Sequence, residues 1–284
     1  MRIIKRKSYY YLQHSFRKEG KVVTREKYLG KIIPKNIEEI RYAFLEECKK
    51  ADLYKILEKI KKVFSKEWKS YPRSIKEKVK EDIAIAFTYN TNAIEGSAIT
   101  LEETAELIKH KMAPNKPVSD IEETQAHMKV FLDMLEKKEP LSIPLILRWH
   151  KEVFSRTKGD IAGRFRTYLV RVCRYIPPDW QDVKKLMNEL IKFYRSSKNK
   201  IHPIELAARI HHRFESIHPF GDGNGRIGRL IMNHILWWQG YPMLIVEYKK
   251  RSFYYIALQK GEEAFFHYFI RRYLAAHKGL LKRS

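Results

Sequence analysis

The twelve residues from His218 to Arg229, HPFGDGNGRIGR, constrain this chain more than any other stretch. Upstream, PIELAARIHHRFESI carries apolar residues at helical spacing, and Pro219 pushes His218 out of the α region, so a helix must stop there. Downstream, a new helix resumes near Arg226 and runs through IGRLIMNHILWWQG. Gly221 to Gly225 then form a glycine-rich turn that leads into a helix N-terminus.

The same periodicity dominates the rest of the chain. Ser74 to about Ile94 reads as a helix. Thr100 with Glu103 forms a capping box, and Ser142 with Pro144 and His202 with Pro203 mark two further helix starts. The ending AFFHYFIRRYLAAHKGLLKRS is an amphipathic helix running into a basic tip. Two segments contrast. Residues 8 to 33 alternate branched or aromatic with polar residues around a turn-like KEG, which predicts a β-hairpin, with room for a third strand. GRFRTYLVRVCRYIPPDW, from Gly163 to about Pro178, predicts a short exposed hairpin that ends at Pro-Pro. The expected fold class is therefore mainly α: a helical bundle with a short β-hairpin flap, preceded by a small N-terminal β-hairpin element and linker helices. The expected division is 1–35 for the basic hairpin element, 36–73 for the linker helices, 74–275 for the main domain and 276–284 for the basic tip, with the boundary near Pro72.

Composition narrows the function classes. Lys and Arg number 57 against 33 acids, a formal charge of +24, which raises nucleic acid as a partner. Stretches such as EKIKKVFSKEWKS, however, interleave both signs along helices and read as solvated faces, so nucleic acid is not the favoured partner. Cys48 and Cys173 lie far apart without metal-knuckle spacing, which points to a reducing, cytoplasmic setting. No run of about eighteen apolar residues predicts a membrane span.

Glycine-rich turns at helix N-termini bind anions, because successive N–H groups converge and the helix dipole adds positive charge. Arg226 and Arg229, three apart, share one helical face and suit phosphate oxygens. Asp222 makes sense within such a positive pocket as a cation ligand, with Mg²⁺ bridging phosphates the natural choice. His218 stands at the helix exit, able to accept a proton near neutral pH. These parts describe a phosphoryl or nucleotidyl transferase site.

The stretch resembles the signature of the Fic (filamentation induced by cAMP) family, His-Pro-Phe-x-Asp/Glu-Gly-Asn-Gly-Arg-x-x-Arg, at every defined position from His218 to Arg229. The resemblance extends over roughly residues 75 to 275. It implies a Fic-type helical bundle that transfers AMP from ATP to a protein hydroxyl. By position it makes His218 the base and Asp222 the Mg²⁺ ligand, and it has Phe220 anchor the loop. Asn224 and the Gly223 to Gly225 backbone would hold the α-phosphate, Arg226 the β-phosphate and Arg229 the γ-phosphate. Gly225, where the phosphorylating Doc branch has lysine, favours AMP transfer. TNAIEG resembles the family's inhibitory Ser/Thr-x-x-x-Glu-Gly/Asn pattern through Thr91, Glu95 and Gly96, which implies that Glu95 pairs with Arg229 and blocks the enzyme. In some members this glutamate also positions a water that removes AMP. The 163–178 hairpin corresponds to the family's flap, which pairs with an extended target segment. Tyr254 and Tyr255 correspond to a segment beside the adenosine.

The partners implied are a protein substrate bearing a Ser, Thr or Tyr hydroxyl, the chain itself included, and for the N-terminal hairpin a partner protein or a second copy. An alternative reading makes that hairpin a DNA-binding module on a regulator or toxin-type Fic core. His211 and His212 are adjacent on a helix and point apart, so they make a poor metal pair. LWWQG reads as core packing.

Overall fold

The computed structural model describes residues 1–18, 21–172 and 175–283. It divides into two compact units, Met1–Lys59 and Ile60–Ser284.

In the first unit, β1 (Arg2–Arg6), β2 (Tyr9–Lys18) and β3 (Lys21–Gly30) form an antiparallel sheet in the order β1-β2-β3. The expected hairpin thus gains its third strand on the N-terminal side. Glu19 and Gly20, of the predicted turn, lie outside the described residues. The long helix α1 (Ile37–Ser70) begins in this unit as one unbroken element where linker helices were expected. Leu12, Phe44 and Cys48 form a small buried core with Ile3, Leu29 and Ile40 packed against it. Arg25 ties strand to helix through the Cys48 carbonyl at 2.6 Å and Asp52 at 2.9 Å.

The second unit is helical: α2 (Arg73–Ile94), α3 (Leu101–Lys109), α4 (Val118–Glu136), α5 (Ile143–Phe154), α6 (Trp180–Ser197), α7 (Pro203–Ile217), α8 (Asn224–Trp238), α9 (Arg251–Gln259), α10 (Glu262–Ala276) and α11 (Lys278–Lys282). The predicted caps form. Thr100 accepts from the Glu103 amide at 3.1 Å while Glu103 accepts from the Thr100 amide at 2.9 Å. Ser142 and His202 cap α5 and α7. Helix α8 is buried at every position from Asn224 to Leu236, as a helix enclosed on all sides must be. It packs on α7, α2, α4 and α5, which fixes the N-terminus of α8 at the centre of the unit. Trp237 and Trp238 pack as expected, donating to the Leu135 and Met134 carbonyls at 3.0 Å.

The flap forms only as a hairpin of minimal length, in which the Val172 and Tyr175 N–H groups each donate to the other's carbonyl, at 2.9 and 2.8 Å. Among the described residues between Gly163 and Pro178 there is no strand, only the bridge Val172–Tyr175; Cys173 and Arg174 lie outside the description. Arg166 explains the short ladder. Its guanidinium takes the carbonyls of Tyr168 at 3.0 Å and Pro178 at 2.6 Å, acceptors that a hairpin ladder would use, and Pro177 and Pro178 offer no N–H in return.

Candidate active site

Helix α7 ends at His218, which adopts a left-handed conformation (φ 49°, ψ 62°), and Pro219 follows. The Glu215 backbone carbonyl beside the His218 ring favours its charged form. Burial holds its pKa below the ordinary histidine value, against the opposing effect of that carbonyl, so the neutral ring is favoured. Arg166 Nε bonds the His218 carbonyl at 2.9 Å and secures the exit turn.

The loop beyond is held from inside. Phe220 is fully buried and stacks on His150 at 3.8 Å between centroids. Asn224 closes the turn, its Oδ1 accepting from the Phe220 amide at 2.8 Å and its Nδ2 donating to the Phe220 carbonyl at 2.9 Å. Both ends of its side chain are thereby engaged, so a ligand meets the backbone here rather than the amide group. His150 Nδ1 accepts from the Gly163 N–H at 2.9 Å, which leaves Nε2–H to donate to the Asp222 carbonyl at 3.0 Å. Gly223 sits at φ 77°, and a Cβ there would lie 2.3 Å from the buried Phe154 ring. Only glycine fits both restrictions.

Four charged side chains surround this turn. Asp222 Oδ1 accepts from the Gly223 N–H at 2.6 Å, and Oδ2 meets Lys158 Nζ at 2.7 Å. Lys158 Nζ also lies 2.8 Å from Glu123 Oε1, and Glu123 pairs through Oε2 with Arg226. Burial raises the pKa of both carboxyls, but the adjoining Lys158 and Arg226 outweigh it and leave both below the usual carboxylate range. Glu123, Lys158, His150 and Arg166 were not singled out in the sequence. Each is an ordinary charged or helical residue whose partner lies far along the chain, so no local pattern marks it.

Arg229, 1% exposed, donates from Nε to Thr91 Oγ1 at 3.0 Å and from Nη2 to the Thr91 carbonyl at 3.2 Å and to Glu95 Oε1 at 2.6 Å. The expected Glu95–Arg229 pair is thus present. A Cβ on Gly225 would fall 2.2 Å from the same Glu95 oxygen, so the carboxylate rests on the first turn of α8. Burial lowers the Arg229 pKa, but the paired Glu95 carboxylate outweighs it and leaves it raised. Tyr254 is buried, bonded to His211 at 2.9 Å, and offers no face to a ligand. Tyr255, 40% exposed, bonds the Ile94 carbonyl at 3.2 Å beside Glu95 and does present a surface.

The arrangement fits a nucleotide's phosphates. An anionic oxygen already lies at the α8 N-terminus, and Arg226 Nε and Arg229 Nη1 are buried without partners. A divalent ion also fits. No three His, Cys, Asp or Glu side chains converge among the described residues, but Mg²⁺ on phosphates needs only one or two carboxylates, and Asp222 keeps 44% of its side chain open.

Residues 140–236 match the Fic/DOC family. The chain belongs to that family. It is 37% identical over 227 residues to the protein adenylyltransferase Fic of Nematostella vectensis, covering 77% of this chain and 52% of the relative. It is 32% identical over 199 residues to the Drosophila melanogaster protein of the same name, covering 68% of this chain and 40% of the relative. The chain therefore spans about half the length, or less, of these curated relatives. Among solved structures, C. elegans Fic-1 superposes with a TM-score of 0.70 at 26% identity, covering 88% of this chain and 78% of that one. A Fic-domain signalling protein from Bacteroides thetaiotaomicron gives 0.69 at 24% identity, covering 79% and 96%, and shares the fold. In this Fic chain the family match covers the anion turn and α8 as far as Leu236, while Glu95 reaches the turn from the end of α2, outside the matched span.

Proposed function

We propose that this chain is a protein adenylyltransferase that transfers AMP from ATP to a Ser, Thr or Tyr hydroxyl and rests in a state blocked by Glu95. The observation that carries the reading is the Glu95 carboxylate lying against Gly225 and paired with Arg229, an anion seated where phosphate oxygens belong. The adenylyltransferase names of the curated relatives support it. The same relatives lend the DNA-binding alternative no support.

In the proposed reaction His218 takes the proton from the target hydroxyl. The hydroxyl oxygen bonds the α-phosphorus, the bond from that phosphorus to the bridging oxygen breaks, and pyrophosphate leaves. The N–H groups of the Gly223–Gly225 turn hold the α-phosphate, while Arg226 and a freed Arg229 orient the rest. Mg²⁺, when bound at Asp222, supplies charge neutralisation to the phosphates. Tyr255 is the tyrosine available to the adenosine.

The carboxylate that blocks transfer keeps 26% of its side chain open beside the anion turn, which favours a second direction at the same site, removal of AMP from a modified protein. Residues 74–275 form the catalytic domain in this reading. The N-terminal element docks a partner or a second copy. No helix among the described residues is long and apolar enough to cross a membrane. Incubation of the unblocked Glu95→Gly variant with α-labelled ATP, GTP, CTP and UTP plus Mg²⁺ tests the reading: label from ATP should become covalently attached to protein. Attachment of none, or only of label from another nucleotide, would overturn AMP transfer.

A further inference from the structure

Asp222 is the carboxylate that would receive the divalent ion, yet both its oxygens are engaged. Oδ1 holds the Gly223 amide at 2.6 Å and Oδ2 holds Lys158 Nζ at 2.7 Å. The lysine is equally close to a second acceptor, Glu123 Oε1 at 2.8 Å. Glu123 is itself fixed, bound by Thr157 Oγ1 at 2.7 Å and by Arg226. One ammonium thus bridges two carboxylates, of which Glu123 is buried and anchored and Asp222 is half open to solvent. The lysine side chain, 33% exposed, lies with its ammonium 5.1 Å from the centre of the Phe154 ring.

We propose that Lys158 is a resident counter-ion of the divalent site. It neutralises Asp222 in the resting protein, withdraws onto Glu123 when a divalent cation takes Asp222, and so weakens divalent binding. This rests on the reading of Asp222 as the metal ligand. Three physical points support it. Asp222 Oδ2 also lies 3.7 Å from Arg226 Nη2, so the tethered ammonium adds to positive charge that already faces the carboxylate and opposes a further cation. A divalent ion must displace the ammonium from Oδ2 and then tolerate it nearby, because Glu123 keeps it within the cluster. Glu123, already held by Thr157 and Arg226, can accept the lysine without moving. Lys158 is therefore a positioning residue that sets how much divalent ion the enzyme requires.

Titration of the full chain with Mn²⁺, with and without a non-hydrolysable ATP analogue, and with free Mn²⁺ read by electron paramagnetic resonance, tests this without reference to transfer. Lys158→Met keeps the apolar stem over Phe154 and removes the charge. It should tighten analogue-dependent Mn²⁺ binding by about tenfold, equivalent to about 1.4 kcal/mol. Lys158→Arg keeps the charge and should bind Mn²⁺ like wild type. Lys158→Gln serves if the methionine variant fails to fold. Unchanged or weaker Mn²⁺ binding in the uncharged variant, with analogue-dependent binding still present, would overturn the counter-ion role alone. Absence of analogue-dependent Mn²⁺ binding in every variant would overturn the assignment of Asp222 and the proposal together.

Discussion

Glu95 Oε1 stands 2.6 Å from Arg229 Nη2, and the same oxygen lies 2.2 Å from where a Cβ of Gly225 would be. One carboxylate therefore pairs with a buried guanidinium and covers the anion turn at once. On the proposed reading, an ATP molecule that entered while the pair persisted would find its γ-phosphate partner neutralised and its α-phosphate turned from the line of attack, and a small misplacement suppresses such a reaction severely.

Glu95→Gly should raise self-modification with labelled ATP well above wild type, and adding Arg229→Ala should reverse the gain, since the freed arginine is what the activation uses. Equal labelling of wild type and Glu95→Gly at saturating ATP and Mg²⁺ would remove Glu95 from regulation. The same variant leaves a buried cation short of a partner, so without nucleotide it should lose about 1–3 kcal/mol of stability, with ATP restoring much of it. Thermal melts with and without ATP measure both.

His218 should set the acid limb of the transfer rate. Burial lowers its pKa, and protonation removes the base, so kcat/KM should fall as pH drops through a value below about 6.5 rather than at or above it. His218→Ala should reduce transfer by about a hundredfold to ten-thousandfold while nucleotide binding stays near wild type. A pH profile of Glu95→Gly that bends above the ordinary histidine value would contradict the lowered pKa.

What could be read in advance follows from the range of the interactions. The end of α7, the turn and the start of α8 were legible because Pro219 and the glycines restrict dihedrals locally; only the start was misplaced slightly, from Arg226 to Asn224. Arg229 and Glu95, 134 apart in sequence, became visible only through a family resemblance. Arg226 with Glu123, 103 apart, and Asp222 with His150, 72 apart, leave no local trace and were missed. The flap was overread in length because its alternation is that of a strand. The guanidinium of Arg166, which captures its carbonyls, lies inside the same alternation and does not alter it.

Four buried histidines should make the protein acid-labile well above the carboxylate range. Burial lowers His127 and His211 to about 3 and His150 and His234 to about 4. Unfolded histidines titrate near 6.5, so below that pH the unfolded chain binds protons that the native chain does not. Stability is complete above about 6.5 and falls as pH drops towards 4, by about 1.4 kcal/mol per pH unit for each group. Glu215 acts oppositely. Burial raises it to about 8, so its native form gains a proton that the unfolded form lacks between about 8 and 4.3, offsetting one histidine. Urea midpoints at pH 7, 6 and 5 should decline steadily; a flat profile would mean the histidines are solvated.

Gly223→Ala and Gly221→Ala should separate sharply, although both glycines precede a motif residue. At Gly223 a Cβ meets the Phe154 ring at 2.3 and 2.4 Å, and that ring is fully buried beside His150. The backbone is left-handed as well, which adds about 1–2 kcal/mol for alanine. With overpacking of about 1–3 kcal/mol, a loss of about 2–5 kcal/mol is expected. At Gly221 the φ angle is not positive, and the nearest obstacle is the Tyr168 hydroxyl at 2.0 Å, the far end of a side chain that is partly exposed and can swing aside. That replacement should cost about 1 kcal/mol or less, and less again when combined with Tyr168→Phe, which removes the colliding oxygen. Denaturant titrations of the two alanine variants and the double variant decide the matter. Equal losses at both positions would mean that Phe154 yields as readily as Tyr168 and that the turn is not held from inside.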